Sequence, residues 1–317
     1  MKSVRDFDVK GKKVLVRCDF NVPLDESGNI LDDTKIREAL PTLQYLLDHG
    51  AKVIVITHLG DGTQSLEGVR NHLFELLGQQ VEVLENIRSH KEEVKNDEAF
   101  AKKLASLGDI YINEAFDVCH RNHASIASIP KFLPHGAGFA LQKEVEILSN
   151  IMQRPKRPMI AIIGGAKAET KAVYVDHFCT FADVVIVNSL VKQELVNKKI
   201  PLEYPEKVWG PKAYVDAPDL TKEDIEKITA KILQAKTVVW NGPFGKFEEE
   251  KYTDGTLAIA KAIIESGAFS VVGGGETIEF LKKEGMMSQF NHVSTAGGAM
   301  LEFLSGQEMP GLKALEL

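Results

Sequence analysis

Residues 13–23 read KVLVRCDFNVP. The first five, KVLVR, form a Val-rich run that suits a strand covered on both faces of a parallel sheet. The polar segment that follows marks the strand's end. The same pattern recurs at 52–57 (KVIVIT), 109–113 (DIYIN), 159–163 (MIAII), 184–187 (VVIV), 237–240 (TVVW) and 269–272 (FSVV). Helical periods fill the gaps. Residues 34–49 carry Ile36, Leu40, Leu43 and Leu47 on one stripe, and 97–107, 142–152, 222–234 and 253–266 read alike. Strand then helix, repeated, predicts an α/β protein whose strands are joined by right-handed crossovers. A break is expected at 153–158 (QRPKRP), where prolines and basic residues separate a long amphipathic helix from a new strand.

With 317 residues, the chain has room for about two domains. Hydrophobic residues make up 44% and charged residues 26%, as in a globular rather than a disordered chain. Lys plus Arg number 38 against 45 Asp plus Glu, a formal charge of −7, which disfavours nucleic acid as a partner. No apolar run approaches the roughly 20 residues of a membrane span, and the first residues lack the apolar core of a signal peptide. Cys18, Cys119 and Cys179 are scattered and odd in number. They give no metal spacing or disulfide framework, so a reducing cytoplasm is expected.

In open parallel sheets, ligands bind beyond the carboxyl ends of the strands. Those ends carry Asp19 and Asn21, His58, Arg88, and then His120, Arg121 and His123, while Lys35 and Arg37 open the first long helix. Each alone would be an ordinary surface charge or a buried histidine. Gathered at one sheet edge of an acidic protein, they predict a site for a small anion such as phosphate or carboxylate. Cys119 next to His120 is no nucleophile pair, because chain neighbours rarely face each other.

The second half ends its strands in glycine: Gly164-Gly165-Ala166-Lys167, Asn241-Gly242-Pro243-Phe244-Gly245 and Gly273-Gly274-Gly275-Glu276-Thr277. Glycines let backbone approach a ligand, and helix N-termini aim N–H groups at phosphate. Three such loops predict a nucleotide site. None fits GxxxxGK[ST] or a clean GxGxxG, so a P-loop NTPase or a dinucleotide dehydrogenase is disfavoured. Lys167 and Lys171 lie four apart at a predicted helix start, where two cations make sense beside a polyphosphate. An anion-binding domain paired with a nucleotide-binding one suits phosphoryl transfer.

The stretches VLVRCDFNVPL, DDTKIREALPTLQYLLDHGAKVIVITHLG, LENIRSH, IAIIGGAKAETK, TVVWNGPFGKFE, GAFSVVGGGET and HVSTAGGAMLEFLSGQEMPGLKAL occur in this order along nearly the whole chain. In these stretches the sequence resembles phosphoglycerate kinase. The resemblance implies two domains, each a mostly parallel sheet flanked by helices, hinged across a cleft. Residues 1–140 would bind 3-phosphoglycerate, 141–156 would form the interdomain helix and hinge, 157–304 would bind the nucleotide, and 305–317 would return to the first domain. It implies a monomeric cytoplasmic enzyme of glycolysis, transferring a phosphoryl group reversibly between 1,3-bisphosphoglycerate and ADP, with Mg2+ accompanying ATP or ADP, and with neither nucleic acid nor membrane as partner.

Position by position, the resemblance implies a 3-phosphoglycerate site of Asp19, Asn21, Lys35, His58, Arg88 and Arg121. It implies a nucleotide site of Gly165, Ala166, Lys167, Lys171, Asn241, Pro243, Gly245, Glu248, Gly274, Gly275, Glu276 and Thr277. Glu276 would lie near the nucleotide-bound magnesium, and Lys171, Lys167 and Lys35 would stabilise the transferring group. The chain departs from the family pattern at Lys35 and Asp61, where Arg is usual, at Thr170 and Glu276, where Asp is usual, and at Ala296, where Gly is usual. It is also short at 78–84 and 197–219, and 187–196 lacks a triple glycine that lines the adenine pocket. The expectation is a kinase of reduced activity. The alternative is a non-enzymatic or repurposed paralogue that keeps the fold.

Overall fold

The computed structural model describes residues 1–211 and 218–316. The chain packs as two compact units. One is Met1–Glu146 together with the residues from Glu308 onward; the other is Ile147–Gln307. The division falls inside helix Phe139–Gln153.

The first unit holds five strands: β1 Lys13–Arg17, β2 Lys52–Ile56, β3 Glu82–Val83, β4 Ile110–Asn113 and β5 His135–Ala137. They lie in the order β3-β2-β1-β4-β5, and every pair is parallel. The second unit holds β6 Met159–Ile163, β7 Val184–Val187, β8 Val208–Trp209, β9 Thr237–Asn241, β10 Phe269–Gly273 and β11 His292–Ser294. Their order is β11-β10-β9-β6-β7-β8, again with parallel pairs. The two sheets are wound alike. Each chain segment starts in mid-sheet, builds outward on one side, then returns to pair its fourth strand with its first. That return leaves a crevice at the carboxyl ends of β1 and β4, and another beyond β6 and β9.

The central strands are apolar on both faces because helices cover both. Residues of β4, β6 and β9 are buried throughout. In β1 and β2 only the first lysine is exposed. The strands expected from sequence appear within a residue or so of their limits. Those not expected are very short: β5 reads His135-Gly136-Ala137 and gives no periodic signal. Helix Glu67–Leu77 was also not expected; it buries Val69, Leu73 and Leu77 and stops at Gly78, whose φ of 68° ends the helix in the left-handed region. Part of the shortened segment 197–219 lies outside the described residues. No helix among the described residues is long and apolar enough to cross a membrane.

The stripe expected for the first long helix needs correction. Helix Thr34–Asp48 buries Ile36, Ala39, Leu43 and Leu46, whereas Leu40 and Leu47 are only half-buried. Thr42 is also buried on this helix, and its hydroxyl accepts the Phe139 N–H at 2.8 Å, while Leu40 and Leu47 pack against the rim of the core. The expected outcome is that Leu46→Ala lowers unfolding free energy by about 2–5 kcal/mol, the usual range for a filled core position. Leu47→Ala should cost less than half as much. Denaturant titrations of the two variants check the order.

Candidate functional site

At the carboxyl edge of the first sheet, Arg17 closes β1 with its side chain fully buried. A guanidinium in that position must find partners for its donors. Its Nε donates to Ser125 Oγ at 2.9 Å, one terminal nitrogen donates to the Cys18 carbonyl, and the other to His58 Nδ1 at 3.2 Å. The Ser125 hydroxyl in turn donates to the buried carboxyl group of Glu93 at 2.6 Å, and the Ser125 N–H donates to the same group at 2.8 Å. Arg17, Ser125 and Glu93 thus form one buried, hydrogen-bonded network.

Because arginine only donates, His58 Nδ1 must accept, and the ring carries its proton on Nε2. Asp19 Oδ1, 3.6 Å from that Nδ1, therefore faces a lone pair and makes no ion pair with it. Burial and the Arg17 charge hold the His58 pKa down at about 3. Asp19 is held well below the usual carboxylate range. Burial opposes that shift, but the Lys35 ammonium, 2.7 Å away, and the Asn21 N–H, at 3.0 Å, outweigh it.

The loops after β1, β2 and β3 are stitched together. Asn21 Oδ1 accepts the Gly60 N–H at 2.8 Å, and Arg88 donates to the Gly60 carbonyl at 2.9 Å. Asn86 donates to the Leu59 carbonyl at 2.8 Å. Arg88 is half-buried; burial and the charges of Arg17 and Arg121 lower its pKa. His120 and His123 are both held at about 4, by burial first and then by neighbouring arginines. The structure therefore gathers Asp19, Asn21, Lys35, His58, Arg88 and Arg121 at one edge and adds Arg17, His120 and His123. Such a cationic cluster can hold a small polyanion. Asp61 does not face it. Its carboxylate is exposed and holds the Thr63 N–H at 3.0 Å and hydroxyl at 2.6 Å, within its own turn.

In the second unit, the loops after β6 and β9 continue the sheet's pairing. Gly164 N donates to the Asn241 carbonyl at 2.8 Å, and Gly165 N to the Pro243 carbonyl at 2.7 Å. Contact is so close that a Cβ on Gly242 (φ 95°) would lie 2.0 Å from the Gly164 oxygen. The Thr277 hydroxyl, buried, accepts the Gly242 N–H at 2.8 Å and fixes the loop to helix Gly275–Lys283. Beyond these loops lies a cleft of about 360 Å³ lined by Lys167, Lys171, Asn241, Gly274, Gly275, Glu276, Thr277, Gly297 and Gly298 among others. Helices Gly275–Lys283 and Gly297–Leu304 both begin at it. Two helix N-termini and two lysines suit a polyphosphate.

Lys171 donates to the Gly164 carbonyl at 2.6 Å. Burial lowers its pKa to about 8, and Lys167 adds to that while Glu276 opposes it. The helix on which the two lysines were expected is only one turn, Ala168–Lys171, with Lys167 at its N-cap. Gly165 is buried behind the cleft, where a Cβ would lie 2.7 Å from Lys171 Nζ and 2.9 Å from Glu276 Oε2. Ala166 is exposed. Pro243 acts through its carbonyl, and Gly245 packs against the Tyr252 carbonyl and Asp219. Glu248 is exposed and does not line the cleft. Residues not anticipated from sequence are Arg17, Glu93, Ser125 and Asp117. Arg17 alone carried a signal, as a charge ending a strand that is apolar throughout.

Parallel sheets ending in a cationic edge and in a glycine-lined, lysine-bearing cleft define an α/β phosphotransferase. The comparisons agree. A family model described as phosphoglycerate kinase matches residues 4–84, 69–200 and 206–307. The chain is 38% identical over 390 residues to the phosphoglycerate kinase of Aquifex aeolicus, covering 99% of this chain and 98% of that one. It is 36% identical to that of Borrelia hermsii, covering 100% and 99%. Solved phosphoglycerate kinase structures from Coxiella burnetii (TM-score 0.86, 31% identity, 99% and 98% covered) and Pyrococcus horikoshii (0.87, 29%, 100% and 98%) superpose on it. The chain belongs to the phosphoglycerate kinase family. At 317 residues against 390 aligned positions, it lacks segments that its relatives carry.

The three depressed histidines fix a pH response. In the unfolded chain each takes a proton near pH 6.5, but folded His58 waits until about 3 and His120 and His123 until about 4. Between those limits the unfolded state binds more protons, so stability falls as pH drops below about 6.5. Unfolding midpoints measured across that range check this. NMR of the His58 ring should show a neutral Nε2–H tautomer that does not titrate there.

Proposed function

We propose that this protein catalyses reversible phosphoryl transfer between 1,3-bisphosphoglycerate and ADP, with lower turnover than its longer relatives. The first unit recognises 3-phosphoglycerate through Asp19, Asn21, Lys35, His58, Arg88 and Arg121. The second recognises the nucleotide through Gly165, Ala166, Lys167, Lys171, Asn241, Pro243, Gly245, Gly274, Gly275, Glu276 and Thr277. The observation that carries the reading is the second unit's cleft, where Lys171 and Lys167 meet two helix N-termini, with Glu276 and Glu302 also on its lining. That fits a Mg-nucleotide. Magnesium bound to phosphate needs few protein ligands, and Glu276 is a suitable one. When bound with the nucleotide, the ion would offset phosphate charge.

In the forward direction of ATP use, a carboxylate oxygen of 3-phosphoglycerate attacks the γ-phosphorus, and the bond from that phosphorus to the β-bridging oxygen breaks to release ADP. The protein's contribution is positioning and fixed positive charge. Lys171 and Lys167 supply that charge on the nucleotide side. Lys35 supplies it on the acceptor side, but both its short contacts are to carboxylates, Asp19 and Asp117. An arginine there has five donors in a plane and can hold carboxylates with one edge while offering the other to phosphoryl oxygens. This is the physical basis for reduced turnover. The same crowding of Lys35 supports a second reading, a paralogue that binds these ligands without turning them over.

A coupled assay with purified protein, 3-phosphoglycerate, ATP and magnesium separates the two. The expected outcome is measurable turnover that Lys171→Ala lowers by about 100-fold or more, the scale for losing one preorganised charge contact. Lys35→Arg should raise kcat. No turnover in wild type and in Lys35→Arg would favour the paralogue. A second test uses protons. A polyphosphate near Lys171 stabilises its charged form and raises its pKa above about 8. ATP binding near that pH should therefore take up protons, seen by calorimetry in buffers of different ionisation heat.

A further inference from the structure

Lys35 lies between two carboxylates at the crevice of the first sheet. Its Nζ is 2.7 Å from Asp19 Oδ2, on the loop after β1, and 2.6 Å from Asp117 Oδ2, on the turn Phe116–Val118 after β4. The two acids differ in their surroundings. Asp19 has a second hydrogen bond, from the Asn21 N–H, and lies beside the Arg17–His58 pair. The short contact of Asp117 is the one to Lys35. Its side chain is 16% exposed against 7% for Asp19, and that of Lys35 is 25% exposed. The Asp117 oxygen in that contact is itself buried, so Asp117 neutralises Lys35 from within the crevice.

We propose that Asp117 is an internal competitor for the anion site: it neutralises the Lys35 ammonium that an incoming phosphate or carboxylate would contact, and must give that contact up when substrate binds. Which anion the site takes rests on the reading in the preceding section; the competition itself does not. A carboxylate 2.6 Å from the ammonium satisfies it as an external anion would, and its charge repels a second anion arriving nearby. Asp117 is therefore a positioning residue that acts through Lys35 and sets how tightly the edge binds anions.

Titration adds a second handle. Burial and the Asp19 charge push the Asp117 pKa up, while Lys35 pulls it back. The groups around it are Lys35 and Glu38 from helix Thr34–Asp48, Asp19 from the loop after β1, and, on its own turn, the Cys119 thiol and the His120 ring. Once protonated, Asp117 no longer competes for Lys35.

The test is calorimetry of two probes, 3-phosphoglycerate and inorganic phosphate, on wild type, Asp117→Asn, Lys35→Gln and the double variant. Asp117→Ser serves as a second uncharged replacement should Asp117→Asn fold poorly. Removing the competitor should tighten anion binding by roughly five- to tenfold, the scale of one nearby charge in a partly screened site. The gain should vanish in the Lys35→Gln background. The ratio of variant to wild-type affinity should shrink as pH falls through neutrality, because wild type then loses its competitor by protonation. Equal or weaker binding in both Asp117 variants overturns the proposal, as does a gain that survives Lys35→Gln. If inorganic phosphate shows the difference and 3-phosphoglycerate binds neither protein, the competitor stands and the substrate assignment falls. If neither anion binds wild type or variant, both fall.

Discussion

A full positive charge buried at the end of a strand constrains the first unit more than any other group. Leaving Arg17 unpaired would cost several kcal/mol, so the fold must bring partners to it. Those partners come from three separate places: His58 after β2, Ser125 in the π-turn Ala124–Ser128, and Glu93 through Ser125. The requirement fixes the tautomer of His58 and brings the segment with Arg121 and His123 to the sheet edge. Tyr111 reinforces the turn by donating to the Ser125 carbonyl at 2.7 Å. The cationic edge follows from satisfying one strand-end arginine.

The second unit meets a different constraint, the close approach of two backbones. Gly164 and Gly242 come so near that no side chain fits between them, and the Thr277 hydroxyl locks that approach from the neighbouring helix. In the first unit charges are placed by side-chain networks. In the second, backbone N–H groups and two lysines line a cleft whose shape glycine sets.

Much of this was legible in the sequence, for identifiable reasons. Runs such as MIAII and KVIVI are apolar on both faces only where helices cover both sides, so they revealed a parallel sheet and, with it, the strand ends where ligands gather. The clusters at Asn21, His58, Arg88 and Arg121, and at Lys167, Asn241 and Gly274, followed from that rule. What escaped depended on partners far along the chain. Glu93 and Ser125 are 32 residues apart, and neither suggests a role until Arg17 lies between them and the sheet. The buried place of Thr42 depended on a partner at Phe139, 97 residues away. Asp117 looked like a loop acid, because its meaning lies in Lys35. The two-residue strands carried too few side chains for any period to show.

The residues from Glu308 onward belong to the first unit, although the whole of the second is encoded before them. Helix Pro310–Ala314 seats Gly311 against Cys119 and Ile126, with the Gly311 N–H on the Cys119 carbonyl at 2.8 Å. On the ribosome, then, the first unit waits for its last helix while the second emerges. At typical elongation rates that interval is on the order of ten seconds or more. Throughout it the seat next to His120 and Arg121 stays uncovered, so the nascent first unit completes its packing only after its later-made neighbour has had time to fold.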